Sequence, residues 1–207
     1  MSSARIGPAL ERPRMIKSLC VFCGSQHGSD RRFRAAAARL GEIAGSAGLK
    51  VIYGGGRVGL MGAVADATMA AGGEVVGLIP ARLLEREVGN RAITELIVAR
   101  DMFDRKDQMI ARADAFVVLP GGLGTLDELL EVVTLRQLGY HGKPIILVNV
   151  AGYWDPLLAL VDQVITHGFA APNVRALFRA VASVDEVLPA LAIATPPGAP
   201  LRVAQAD

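Results

Sequence analysis

The chain has 207 residues, 52% of them apolar and 20% charged, with 23 glycines and a net charge of +2. That length suits one domain, 1–207, with a sizeable core, and the composition excludes a disordered or fibrous chain. The 22 basic residues are dispersed, so no stripe exists to grip a nucleic-acid backbone, and no apolar run approaches 18 residues; neither nucleic acid nor membrane is an expected partner.

Residues 1–14 lack periodicity and are expected to fray, and no charged start leads into an apolar run with a cleavage site, so no secretory leader is expected. The first strand is "SLCVFC". It carries Cys20 and Cys23 as a C-x-x-C, but with no second cysteine pair and a strand setting, buried thiols are expected rather than a zinc or redox site. Cytoplasm is the default location. His27, His141 and His167 show no metal-ligand spacing, so no metal is expected.

A helix is predicted over 29–47, then the strand "KVIYGG", a helix over 59–72, and the strands "EVVGLIP" and "ELIVA". Further on come a helix over 102–113, the strand "AFVVLP", a helix over 124–138, the strand "PIILVNV" and a helix over 154–167. "FRAVAS" and "VDEVLPALA" offer a last strand and helix, after which a Pro- and Ala-rich tail from 194 is expected to fray. Near-continuous apolar strands bounded by Gly or Pro indicate burial on both faces. The fold expected is α/β, a doubly wound Rossmann-like three-layer sandwich with a mostly parallel sheet and an ordered core of about 15–193.

Ligands in such sheets lie beyond the carboxyl ends of the strands, where three junctions are rich in small residues: 23–30, 53–62 and 119–128. Gly54 to Gly59 satisfy G-x-G-x-x-G, but no acid ends the following strand to grip a ribose, so a dinucleotide oxidoreductase stays an alternative rather than the reading. "PGGLGT" turns backbone amides and the positive end of a helix toward one anion. Without side chains at Gly121, Gly122 and Gly124 a phosphate can approach the main chain, and Thr125 adds a hydroxyl. No Gly-Lys-Ser/Thr follows, which disfavours a nucleoside triphosphate with magnesium.

Glu128 has two readings, because Thr125-x-x-Glu128 is also the spacing of a capping box. Arg105 and Lys106, adjacent at the start of a helix, oppose its dipole, so they need either salt bridges or an anion.

"MFDRKDQM" and "PGGLGTLDE", with "CGS", "YGGGRVGLMG" and "QLGYHGKPIILVNVAGYWDPLL", make residues 16–180 resemble the LONELY GUY family of cytokinin riboside 5′-monophosphate phosphoribohydrolases. The resemblance implies hydrolysis of the N-glycosidic bond of a nucleoside 5′-monophosphate, with no cofactor, in a homodimer. It implies Arg105 and Glu128 as the catalytic pair and Gly122, Leu123, Gly124 and Thr125 as the phosphate cradle. Ser25, Gly55, Glu87, Lys106, Gly121, Leu126, Asp127 and Thr134 complete the expected substrate contacts. Family members often carry the label lysine decarboxylase, but a pyridoxal enzyme needs a Schiff-base lysine, and of Lys17, Lys50, Lys106 and Lys143 only Lys106 is suitably placed.

The chain departs from the family at Met102-Phe103-Asp104, where a Met-His-Glu is usual, and at Gly89-Asn90, where Ala-His is usual; both bear on the base. A nucleotide carrier without turnover is a further alternative.

Overall fold

The computed structural model describes residues 15–84 and 89–193. Seven strands form one sheet: β1 (Ser18–Phe22), β2 (Lys50–Tyr53), β3 (Val75–Pro80), β4 (Glu95–Ala99), β5 (Ala115–Val118), β6 (Ile145–Val148) and β7 (Arg179–Val181). Their order is β4-β3-β2-β1-β5-β6-β7, and every pairing is parallel. The helices are α1 (Arg31–Ser46), α2 (Gly59–Ala70), α3 (Ala81–Leu84), α4 (Met102–Arg112), α5 (Leu123–Gln137), α6 (Asp155–Thr166) and α7 (Val187–Ile193). The expected three-layer α/β sandwich is therefore present, with one extra single-turn helix, α3.

The strand period of two sorts the core into two halves. Leu19, Val21 and Cys23 face α1, α2 and α7, whereas Cys20 and Phe22 join Met109 of α4, Leu129 and Val132 of α5 and Trp154. Cys20 and Cys23 thus lie on opposite faces as free, buried thiols and cannot ligate one ion. Gly41 and Gly45 bring α1 onto α2, since a Cβ at Gly41 would strike the Val64 carbonyl and one at Gly45 would crowd Ala71 and the Thr68 carbonyl.

Burial on both faces fails at the two edge strands, β4 and β7, and Arg179 and Ala180 of β7 are exposed. β4 lies at the sheet edge, and Val98 is 53% exposed. Its apolar residues are flanked only by β3.

The chain runs outward from β1 to β4 and then returns to the other side of β1 to lay down β5. This reversal opens a crevice at the carboxyl ends of β1 and β5, the place where an open α/β sheet leaves room for a ligand. The two exit loops touch there: the Gly24 N–H donates to the Pro120 carbonyl at 3.1 Å.

Candidate active site

A cavity of about 180 Å³ fills that crevice, lined by Val21, Cys23, Ser25, Gly54, Met61, Arg105, the run from Gly122 to Thr125, and Glu128. Four elements and three loops thus meet at one point. The cavity has two chemically distinct ends.

One end is the amino terminus of α5. Gly122 is its N-cap and supplies no side-chain hydrogen bond. The first-turn amides of Leu123, Gly124 and Thr125 have no partner within the helix, and the helix dipole adds positive potential. A Cβ built at Gly122 or Gly124 would meet nothing within 4 Å. Internal packing therefore does not require glycine at either position; what their missing side chains leave is room over the amides. Gly121 differs, because a Cβ there would collide with the Thr125 hydroxyl and crowd the Gly24 nitrogen. Its smallness serves the fold.

The other end is an ion pair inside the protein. Arg105 and Glu128 are 6% and 9% exposed, and Nη2 of the arginine lies 3.8 Å from Oε1 of the glutamate. The guanidinium is held from behind: Nε donates to the Leu78 carbonyl at 3.0 Å and Nη2 to the Gly54 carbonyl at 3.3 Å. Gly54 is needed for this, since a Cβ would overlap the guanidinium. Burying such a pair is costly for stability unless its remaining hydrogen-bonding capacity is met, and two carbonyls meet part of it.

Helix geometry sets the spacing between these ends. Glu128 is three residues beyond Thr125 and four beyond Gly124, and at 1.5 Å per residue the carboxylate's backbone lies roughly 5–6 Å further along the axis than their amides. An anion on the amides and a carbon near the carboxylate can thus belong to one small molecule.

The capping-box reading of Thr125 and Glu128 does not hold. The helix begins at Leu123, so Thr125 is already its third residue, 4% exposed, and Glu128 its sixth. A capping box needs the threonine at the N-cap. Gly122 occupies that position instead.

Other expected site residues fall into three groups. Ser25 lines the cavity. Lys106 does not: its ammonium joins α4 to α5 through Asp127 at 3.1 Å and Glu131 at 3.0 Å. Burial opposes its charge, but the hydrogen bonds to Glu131 and Asp127 outweigh this and hold it above its ordinary value. Salt bridges are therefore what place this lysine at a helix start.

Gly55, Gly121, Leu126, Asp127 and Thr134 also lie outside the cavity lining. Gly55 has a left-handed φ of 76° and accepts the Asn90 N–H. Leu126 packs into the core beneath α5, while Asp127 and Thr134 are exposed. Phe103 is 80% exposed, and Asp104 accepts the Arg100 N–H at 2.9 Å, which ties the start of α4. Glu87 and the tails 1–14 and 194–207 lie outside the described residues.

The expected site residues did not include Val21, Cys23, Gly54 or Met61, which also line the cavity. Cys23 and Gly54 immediately follow β1 and β2, so the rule about carboxyl ends was a usable signal, and Cys23, Gly54 and Met61 all fall within the small-residue junctions 23–30 and 53–62. Burial and the nearby Glu128 carboxylate push the Cys23 thiol far up, so it stands in the wall as a neutral group. Among the described residues no cluster of His, Cys, Asp and Glu is arranged to hold a metal ion.

A family model described as possible lysine decarboxylase matches residues 61–191. A rice protein (Oryza sativa subsp. japonica) named probable cytokinin riboside 5′-monophosphate phosphoribohydrolase LOGL9 is 47% identical over 163 residues, 79% of this chain and 72% of its own. The Arabidopsis thaliana cytokinin riboside 5′-monophosphate phosphoribohydrolase LOG1 is 42% identical over 173 residues, 84% of this chain and 81% of its own. Among solved structures, the molybdenum cofactor binding protein of the phototrophic bacterium Rippkaea orientalis superposes with a TM-score of 0.67 at 20% identity, covering 86% of this chain and 97% of that one. At that identity the likeness concerns the fold alone.

Proposed function

Because the chain belongs to the LONELY GUY family of cytokinin riboside 5′-monophosphate phosphoribohydrolases, we propose that it hydrolyses the N-glycosidic bond of a purine riboside 5′-monophosphate, releasing free base and ribose 5-phosphate. The single observation that carries this reading is the shared cavity: uncapped helix amides at one end, a buried Arg105–Glu128 pair at the other, about one ribose apart.

The 5′-phosphate sits on the amides of α5, with the Thr125 hydroxyl beside it. This places C1′ near Glu128. As the C1′–N bond breaks, its electron pair passes to the base nitrogen and positive charge grows on the sugar. Glu128 stabilises that charge and orients the water whose oxygen bonds to C1′; the water loses a proton and the departing base gains one. Paired carboxylate chemistry at sugar centres follows the same logic. Arg105 acts electrostatically rather than as an acid, since a guanidinium does not give up its proton in proteins. It pairs with Glu128 and faces the negative charge that develops on the base. Phosphate binding away from the reacting atom supplies the positioning, so nucleosides lacking it react poorly.

The decarboxylase description of the matching family does not suit this site. Lys106 is bound to two carboxylates, Lys50 pairs with Glu74 at 3.0 Å and Lys143 donates to the Ile110 carbonyl at 2.6 Å. Lys17 is exposed, and none of the four lines the cavity. The dinucleotide reading also loses support: Gly54 makes space for Arg105, and Gly59, with φ of 67°, abuts the Ser25 backbone.

The protein acts as a homodimer through the apolar residues beside the cavity at the starts of α4 and α5, where Phe103 and Leu123 are more than three-quarters exposed. No helix among the described residues is long and apolar enough to cross a membrane, and free thiols suit a reducing, cytoplasmic setting. Incubation with AMP and with N6-substituted AMP, followed by chromatography of the free base, tests the function. Stoichiometric base and ribose 5-phosphate are expected, whereas binding without base release would replace the hydrolase with a carrier.

A further inference from the structure

Between β6 and α6 the chain makes a turn held in a sparsely populated conformation. Ala151 has φ of 57° and ψ of 26°, the left-handed region that a residue with a Cβ rarely adopts, and Gly152 follows at φ of 74°. Such a backbone persists only where its surroundings fix it. Asn149 does so on both sides: its Oδ1 accepts the Trp154 N–H at 2.7 Å, and its Nδ2 donates to Asp155 Oδ1 at 2.6 Å. Trp154 is 2% exposed, anchoring the next residue in the core.

What this turn delivers is Tyr153. Its ring is gripped edge-on by Phe33 of α1 and by Trp154, with centroids 5.4 Å and 4.8 Å away. Its hydroxyl reaches across to the phosphate loop and donates to the Gly121 carbonyl at 2.6 Å.

The bonded carbonyl belongs to a peptide between two glycines. A Gly–Gly peptide can rotate about its flanking bonds with little steric restraint, because neither neighbour has a Cβ. In a trans peptide the carbonyl and the following N–H point in opposite directions. Holding the Gly121 carbonyl therefore also fixes the direction of the Gly122 N–H, at the residue that caps α5 and lines the cavity. In the flipped orientation a carbonyl oxygen would replace that N–H and repel an anion.

The geometry points to Tyr153 as a positioning residue: its hydroxyl selects the orientation of the 121–122 peptide that receives the substrate's phosphate, without touching the substrate. This inference rests on the reading of the cavity as a monophosphate site. Tyr153→Phe keeps the ring packing and removes only the hydrogen bond. Losing one such bond reduces the binding-competent fraction, and apparent affinity falls in proportion.

The test is calorimetric titration of wild type and Tyr153→Phe with inorganic phosphate and with ribose 5-phosphate, together with steady-state kinetics on AMP. Both dissociation constants and KM should rise together by about tenfold in the variant, with kcat at saturation within about twofold. Unchanged affinities, or a fall in kcat at constant KM, would overturn the assignment of Tyr153. Wild-type protein that binds neither phosphate compound would instead overturn the functional reading beneath it.

Discussion

Thr125-Leu126-Asp127-Glu128 and Ser183-Val184-Asp185-Glu186 are nearly the same tetrapeptide, each followed by two apolar residues. At the second, Ser183 is extended, with φ of −140° and ψ of 162°, and the helical turn starts directly after it. Glu186 folds back so that its Oε1 accepts the Ser183 N–H at 3.1 Å and the Ser183 hydroxyl at 3.0 Å, closing a capping box at the surface. At the first, Gly122 has already taken the cap position, so the helix has begun before Thr125 arrives. Glu128 then lies on an inner face beside Arg105. The two aspartates keep one role throughout: Asp127 pairs with Lys106 of α4, and Asp185 with Arg39 of α1 at 2.8 Å. The upstream Pro120-Gly121-Gly122 makes the difference, by starting α5 three residues earlier. A local spacing signal is thus read by the register of the element that contains it.

Paired substitutions test that contrast most strongly. Glu128→Gln should reduce adenine release from AMP by about 10²–10⁴-fold, the range associated with a positioned acid–base group. Its melting temperature should stay within a few degrees, because Arg105 keeps the Leu78 and Gly54 carbonyls. Glu186→Gln should leave turnover intact and still close its box, since glutamine serves there too. Chromatographic base release and calorimetry on both variants decide the matter; equal turnover in the two would remove Glu128 from the chemistry.

Giving the first site the cap it lacks sharpens the comparison from the other side. Gly122→Asp has open space for its side chain and a residue type favoured at the N-cap, so the melting temperature should hold or rise by about 1 °C. Its carboxylate would sit over the amides meant for the phosphate, and KM for AMP should rise about a hundredfold through like-charge repulsion. An unchanged KM would place the phosphate elsewhere. The smallest effect belongs to Ser183→Ala, which should cost about 1 kcal/mol, or roughly 2–4 °C on melting, with kcat/KM unaltered.

Much of this was legible along the chain. Apolar runs punctuated by Gly and Pro located the first six strands, because a strand buried in a parallel sheet must be apolar along its length; the short β7 was expected from FRAVAS without that signal. The exceptions to burial were the edge strands β4 and β7: the composition of β4 resembles the inner strands, and edge position is a property of topology. The PGGLGT loop announced an anion through its glycines, and Arg105 through its place at a helix start. The lysine beside it carried the same local signal and turned out to tie two helices together, since its reach toward Asp127 and Glu131 depends on how α4 and α5 pack.

By itself, then, the sequence determined the layered α/β architecture, the glycine-rich loop and the pair of residues, 105 and 128, on which the proposed chemistry depends. The architecture and the loop follow from periodicity and backbone freedom, which act over a few residues, whereas residues 105 and 128 were paired through the resemblance to the family. Only the tertiary structure decided that Gly122 caps α5, that Gly54 and Leu78 hold the buried guanidinium, and that Tyr153 reaches the loop from 32 positions away. Those outcomes depend on which elements the crossover at β1 and β5 brings side by side, and distances between separate elements are not encoded in any local window of the chain.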